Sequence, residues 1–221
     1  MSNLSKPRVC EFARQWYDRL LGNAFSGRVY LAGGAFKTLL HGRSPNDIDL
    51  FPVTEDGRNR LLEALQRQGA KIQRDNKPYQ TVLDFSGQRV EVAYSTHYPT
   101  LEKRLARFDL GLSAVGVEYD NGSLRAQIHR RAEVSITRGE ILLIKPLKNW
   151  KYALATLERM YRYGRELDFR VPKLEVEYIW ELFDSQSSEI RCNMIERFHR
   201  VGNGTQEIAE QALSRSRQRI D

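Results

Sequence analysis

Asp47, Ile48 and Asp49 set two carboxylates two residues apart in a stretch, Asp47 to Phe51, that reads as a β-strand. Successive strand side chains point to opposite faces, so Asp47 and Asp49 share one face while Ile48 and Leu50 point into the core. Two such charges repel each other, and a hard divalent cation, Mg²⁺ or Mn²⁺, relieves this while sharing oxygen ligands with substrate phosphates. Upstream, Gly33-Gly34 forms a tight turn after the apolar run Val29 to Leu31, and Ala35 to Leu40 reads as a short helix. Glycine permits close backbone approach and a helix N-terminus offers unpaired N–H groups, so the turn suits a phosphate. Either motif alone is commonplace; in strand–turn–helix–strand order they describe a site for a nucleoside triphosphate.

The run GGAFKTLLHGRSPNDIDL, residues 33 to 50, resembles the GGxVRDxLLGxxxxDIDL pattern of the polymerase-β-type nucleotidyltransferase superfamily, in its tRNA nucleotidyltransferase (CCA-adding) and bacterial poly(A) polymerase branch. Phe36, Lys37 and Thr38 replace Val-Arg-Asp, which keeps a cation and loses a carboxylate. The resemblance implies metal-dependent transfer of a nucleoside monophosphate from an NTP, with release of pyrophosphate. Asp47 and Asp49 would bind the metals, and Gly33, Gly34, Lys37 and Arg43 the phosphates. The branch carries a third acidic residue in an EVA-type strand, which points to Glu91, with Asp84 on the partner strand as the alternative. On pattern alone Glu91 reads as an exposed edge-strand carboxylate.

Arg107 to Gly122 resembles the branch's RRDFTINALAYDxxxG motif, which makes Arg107 and Asp109 candidates for nucleotide contact; the same residues also suit a plain strand ending in an Asn121-Gly122 turn. Arg162 to Phe169 resembles the RFAAxLGF that closes the first neck helix. Leu147, Trp150, Leu154, Leu157 and Tyr161 predict a helix with one apolar face. Lys148, Lys151, Arg159 and Arg162 lie on an adjacent face, either simply solvated or tracking an RNA backbone. Family members choose C or A with an Asp and an Arg from an EDxxR motif. Counting back from Arg162 puts Tyr152, Ala153 and Thr156 there, so that device is absent or rebuilt, with Lys148, Trp150 or Tyr152 as substitutes.

The elements that must position these groups give an α+β fold: a polymerase-β-like domain over residues 1–140, a mixed sheet with helices on one side, then a helical neck and C-terminal region over 141–221. Helices are predicted over Lys6 to Gly22 and Thr54 to Gln68, with Thr54 as N-cap. Strands are predicted over Ala70 to Gln73, Tyr79 to Phe85 and Arg89 to Tyr94, the last two joined at Ser86-Gly87. Further helices run over Val176 to Phe183, Ser188 to Val201 and from Thr205, after a Gly202-Asn203-Gly204 break, and Ser214 to Arg219 forms a basic end.

No apolar run approaches the roughly 20 residues of a membrane span, and the first ten residues lack a signal-peptide core, so a soluble cytoplasmic protein is expected. Cys10 and Cys192 lack metal-ligand spacing and read as reduced thiols. The formal charge of +7, with 35 Lys and Arg, permits nucleic acid as a partner. An RNA 3′ end, of a tRNA or similar molecule, is the acceptor that the resemblance favours. The alternatives are transfer to a protein partner or small molecule, and a degenerate domain that binds nucleotide or RNA without turnover. Family enzymes are longer, so the chain looks like a minimal or truncated member.

Overall fold

The computed structural model describes residues 4–22, 25–94, 96–201 and 205–217. The expected Gly202-Asn203-Gly204 break and the end of the basic tail, Gln218 and Arg219, lie outside them.

Helix α1 (Lys6–Leu21) has Pro7 in its first turn and buries Val9, Phe12, Ala13, Trp16 and Leu20 along one stripe. Strand β1 (Arg28–Ala32) leads through a 3₁₀ turn at Gly34–Lys37 into the single turn of α2 (Thr38–His41), and then β2 (Asp47–Pro52) follows. Helix α3 (Glu55–Arg67) opens as expected, with the Thr54 hydroxyl accepting from the Gly57 N–H at 3.0 Å. Strands β3 (Lys71–Asn76), β4 (Gln80–Phe85) and β5 (Gln88–Ala93) come next, then α4 (Leu101–Leu105), β6 (Val115–Asp120), β7 (Ser123–Ile128) and α5 (Arg130–Arg138). The remainder is helical: α6 (Ala153–Leu167), α7 (Lys173–Asp184), α8 (Ser188–Val201) and α9 (Gln206–Arg217).

The strands form one mixed sheet in the order β3-β4-β5-β2-β1-β6-β7, in which β2 and β5 run parallel and the other neighbours antiparallel. Alternation in β2 sends Ile48 and Leu50 to one face, where they pack with α1, α3, Val90 and Val92 in the first core. Each such fully buried aliphatic side chain contributes about 1.5–3 kcal/mol. The Tyr17 hydroxyl ties α1 to the sheet, donating to the Val117 carbonyl at 2.9 Å and accepting from the Leu31 N–H at 2.7 Å. On the opposite face, Tyr30, Ala32 and Phe51 meet α4, whose short span has no long periodic pattern to announce it. This face carries Asp47 and Asp49.

A second core joins Ile141, Leu143, Leu154, Leu157, Met160 and the last three helices, and it reaches back to Leu110 and Leu112. Helix α6 begins at Ala153, because Trp150–Tyr152 forms a tighter 3₁₀ turn, and Met160 and Tyr163 fill the buried face where Tyr161 was expected. Tyr161 is exposed.

Gly111 stands where the resembling motif has threonine. A Cβ there would lie 2.7 Å from the Arg131 carbonyl oxygen, a backbone atom of α5 that cannot swing aside. Gly111→Ala should therefore cost about 1–3 kcal/mol, a fall of several degrees in Tm by calorimetry. An unchanged Tm would show that α5 yields without cost.

Candidate active site

The β2–β5 register is Asp47 beside Arg89 and Asp49 beside Glu91. Glu91 therefore shares the face of the aspartates one strand away. Asp84 sits opposite Arg89 on β4, two strands from β2, with Arg89 in between. The geometry thus brings Glu91 to the aspartates and leaves Asp84 outside.

The turn between β1 and α2 closes over this face. Gly33 has φ of 117°, and a Cβ on it would lie 2.8 Å from an Asp49 carboxylate oxygen, so both conformation and contact require glycine. The short helix predicted over Ala35 to Leu40 is present as a 3₁₀ turn followed by one α-turn, and the Gly33 N–H already donates to the Val115 carbonyl. So brief a helix offers little dipole, which shifts the burden of holding an anion to side chains. Lys37 is the buried cation of the turn. Its ammonium lies 3.6 Å from the Tyr163 ring centre and pairs with Glu166, and the Tyr163 hydroxyl packs on Gly34.

A cleft of about 230 Å³ results, floored by Asp47 and Asp49 and walled by Lys37, Arg43, Arg159 and Arg162. Asp49 is held well above the usual carboxylate range by burial, then by the charges of Asp47 and Glu91, with Arg104 and Arg89 opposing. Burial also raises Glu91, although its pairing with Arg89 at 2.6 Å offsets part of this. Burial lowers Lys37, against the pull of Glu166, and the Lys37 ammonium overcomes burial to depress Glu166.

The donor set suits a hard divalent cation: it offers oxygen only, and its clustered negative charge is costly in so enclosed a place. Glu91 is paired with Arg89, and among the described residues no three acidic, His or Cys side chains are grouped so as to hold a metal ion.

The other predicted residues divide. Asp109 does not line the cleft: its carboxylate accepts from Thr156 at 2.6 Å and pairs with Arg159, tying the segment before β6 to α6. Arg107 also stands outside, 3.5 Å from the Asn149 side-chain oxygen. Nor do the four basic neck residues form one ridge. Lys148 and Lys151 are exposed ahead of α6, whereas Arg159 and Arg162 face the cleft. At the counted-back base-reading positions, Ala153 is fully buried and Thr156 has given its hydroxyl to Asp109.

Three contributors are absent from the sequence-based set. Tyr163 and Glu166 fall within the RFAAxLGF-like segment, where resemblance fixes helix position and says nothing of a partner for Lys37. Arg104, on α4, is stacked 3.9 Å from the Phe51 ring centre and 4.4 Å from that of Phe108. Burial lowers its pKa to about 10, so it stays charged and opposes the negative field at Asp49.

No protein-family model matches the chain, and no curated protein does. Solved structures do. A CCA-adding enzyme in a second apo form aligns over 97% of this chain with a TM-score of 0.62 and 16% identity. A CCA-adding enzyme complexed with CTP aligns over 97% with 0.61 and 17%. The Thermotoga maritima CCA-adding enzyme complexed with tRNA aligns over 97% with 0.59 and 17%. The chain spans about half the length of these structures, 53%, 51% and 51% respectively. At such identity the likeness concerns architecture: the chain shares the fold of these CCA-adding enzymes over about half of their length.

Proposed function

We propose that this protein is a nucleotidyltransferase that moves a nucleoside monophosphate from an NTP to an RNA 3′ hydroxyl. The observation that carries the reading is the placement of Asp47, Asp49 and Glu91 on adjacent strands of one face, with Asp49 pressed against the Gly33 turn. A purely structural role places no demand on three acidic residues sharing one sheet face. The structural neighbours crystallised with CTP, ATP and tRNA support the choice of NTP and RNA as partners.

In the reaction the acceptor oxygen bonds to the α-phosphorus and pyrophosphate leaves. Asp47, Asp49 and Glu91 would hold Mg²⁺ or Mn²⁺, which when bound lowers the pKa of an attacking hydroxyl and neutralises phosphate charge. The Gly33-Gly34 turn lets the nucleotide approach the backbone, and Lys37 and Arg43 supply charge to the phosphates. Asp109 acts as a positioning residue by fixing Arg159 in the cleft wall. Residues 1–140 would serve as the catalytic head and 141–221 as the helical region that closes over it.

Lys37 reaches phosphate by exchanging its Glu166 partner for it. Glu166→Gln should lower KM for the NTP several-fold while kcat changes little, because the competing charge is gone and the transition-state contacts remain. A raised KM would show that Glu166 positions Lys37. Asp47→Ala or Asp49→Ala should reduce transfer by at least about 100-fold, with the fold retained by circular dichroism. Glu91→Ala should lose most activity. Full activity in Asp49→Ala would overturn the mechanism.

Ala153 and Thr156 bear on nucleotide choice. Neither presents a carboxylate or a guanidinium, so the paired hydrogen bonds that read a base edge are not available from them. The same chemistry with a protein or small-molecule acceptor is the second reading, favoured by this loss. Offered the four NTPs singly and together with a tRNA lacking its 3′ end, the protein should show relaxed choice or a purine preference. Ordered addition of two C residues and one A, then a stop, would show that another set of residues reads the base.

A further inference from the structure

A second cavity is larger than the carboxylate cleft. It is a groove of about 1000 Å³ between the β3–β4 turn on one side and α6, α8 and the 3₁₀ turn before α6 on the other. Arg159 and Arg162 line both cavities, so groove and cleft share a wall. Its volume lies at the upper end of the about 300–1,000 Å³ typical of ligand pockets, more than one nucleotide needs.

The walls combine cations with aromatic surface. Lys77 and Arg200 stand exposed at opposite sides, and among the described residues Arg200 pairs with the exposed Glu196 at 3.3 Å. Such a pair is worth little and is readily exchanged for a phosphate. Tyr79 projects from the turn with 62% of its surface exposed, and no other ring or cation stacks on it among the described residues. Its backbone is fixed all the same. The Tyr79 N–H donates to the Asn76 carbonyl at 2.7 Å, and its carbonyl accepts from Tyr94 at 2.9 Å. Beneath it, Tyr94 donates its hydroxyl to Asp75 at 2.6 Å, under the Arg58 guanidinium 3.6 Å from its ring centre. A rigid turn thus presents a free aromatic face. Tyr152 adds a second ring across the groove, with its hydroxyl 3.2 Å from Arg197.

We propose that this groove binds an unpaired nucleic-acid strand, with a base stacked on Tyr79 and phosphates on Lys77 and Arg200. The proposal deepens the transfer reading: the strand would be the 3′-terminal segment of the acceptor, entering past Tyr79 toward the carboxylates. Flat aromatic faces accept any base, so recognition should be sequence-tolerant.

The test is fluorescence anisotropy with a labelled, unstructured RNA of mixed sequence, without metal or NTP, beside the same RNA annealed to its complement. The single strand should bind tighter than the duplex. Tyr79→Ala should weaken it about ten-fold and Tyr79→Trp should not, since one stacked base is worth roughly that factor. Lys77→Gln and Arg200→Gln should each reduce the salt dependence of binding. Absence of single-strand binding, equal binding of the duplex, or an unchanged Tyr79→Ala would overturn the proposal. Because binding is read without turnover, RNA binding by the wild type that is lost in Tyr79→Ala, together with an absence of transfer by the wild type, would uphold the groove and sink the enzyme reading. Transfer with an unchanged RNA KM in Tyr79→Ala would do the reverse.

Discussion

Burial of the Asp49 carboxylate on a half-enclosed sheet face that also carries Asp47 and Glu91 is the constraint around which the rest of the molecule is arranged. Like charges about 5 Å apart repel by roughly 3 kcal/mol at an effective dielectric of about 20, which adds to the cost of burial. That cost is borne in a fold whose opposite face supplies the compensating burial: Ile48, Leu50, Val90 and Val92 sit on the same strands and are fully buried. The same two strands are thus apolar on one side and acidic on the other. The nearby guanidiniums, Arg89 beside Glu91 and Arg104 facing Asp49, moderate the field without neutralising it.

Helix α6 is the second organising element, because it turns an open sheet face into a cleft. Its attachment is polar where it crosses the site and apolar elsewhere. Asp109 grips Thr156 and Arg159, and Glu166 grips Lys37, while Leu154, Leu157 and Met160 pack into the second core. Buried ion pairs add little net stability against apolar replacements, but breaking one leaves an uncompensated charge, so they define how the helix sits. The arrangement also means that Lys37, Arg159 and Arg162, facing the cleft, already have carboxylate partners. An incoming phosphate competes with those partners and need not create a site from nothing.

Much of this was legible in the residues. Period-two alternation at Asp47 to Phe51, the glycine pair, and Thr54 as an N-cap are local signals, and the structure has β2, the tight turn and α3 where they point. The register of Glu91 against Asp49 was not local: it depends on β5 lying parallel to β2 after an intervening helix and hairpin, which no single stretch encodes. The basic residues of the neck were misjudged as one ridge for a related reason. Helical periodicity shows which residues share a face but not which face meets the sheet, and α6 starts later than its apolar pattern suggests. Arg104 gave no signal, since a five-residue helix is too short for periodicity to register.

The most direct test of the central claim is the thermal stability of wild type and Asp49→Asn, followed by calorimetry from about pH 4 to 8 with and without Mg²⁺. A carboxyl raised in the folded state binds more protons there than in the unfolded chain, so its ionisation costs stability, increasingly as pH rises through the folded pKa. Without Mg²⁺ the variant should therefore be the more stable protein, by a margin that widens toward high pH. Added Mg²⁺ should raise the Tm of wild type and leave the variant nearly unmoved, since an ion that binds only the native site stabilises it by mass action. A variant less stable than wild type at high pH, or an equal response of both to Mg²⁺, would contradict the account.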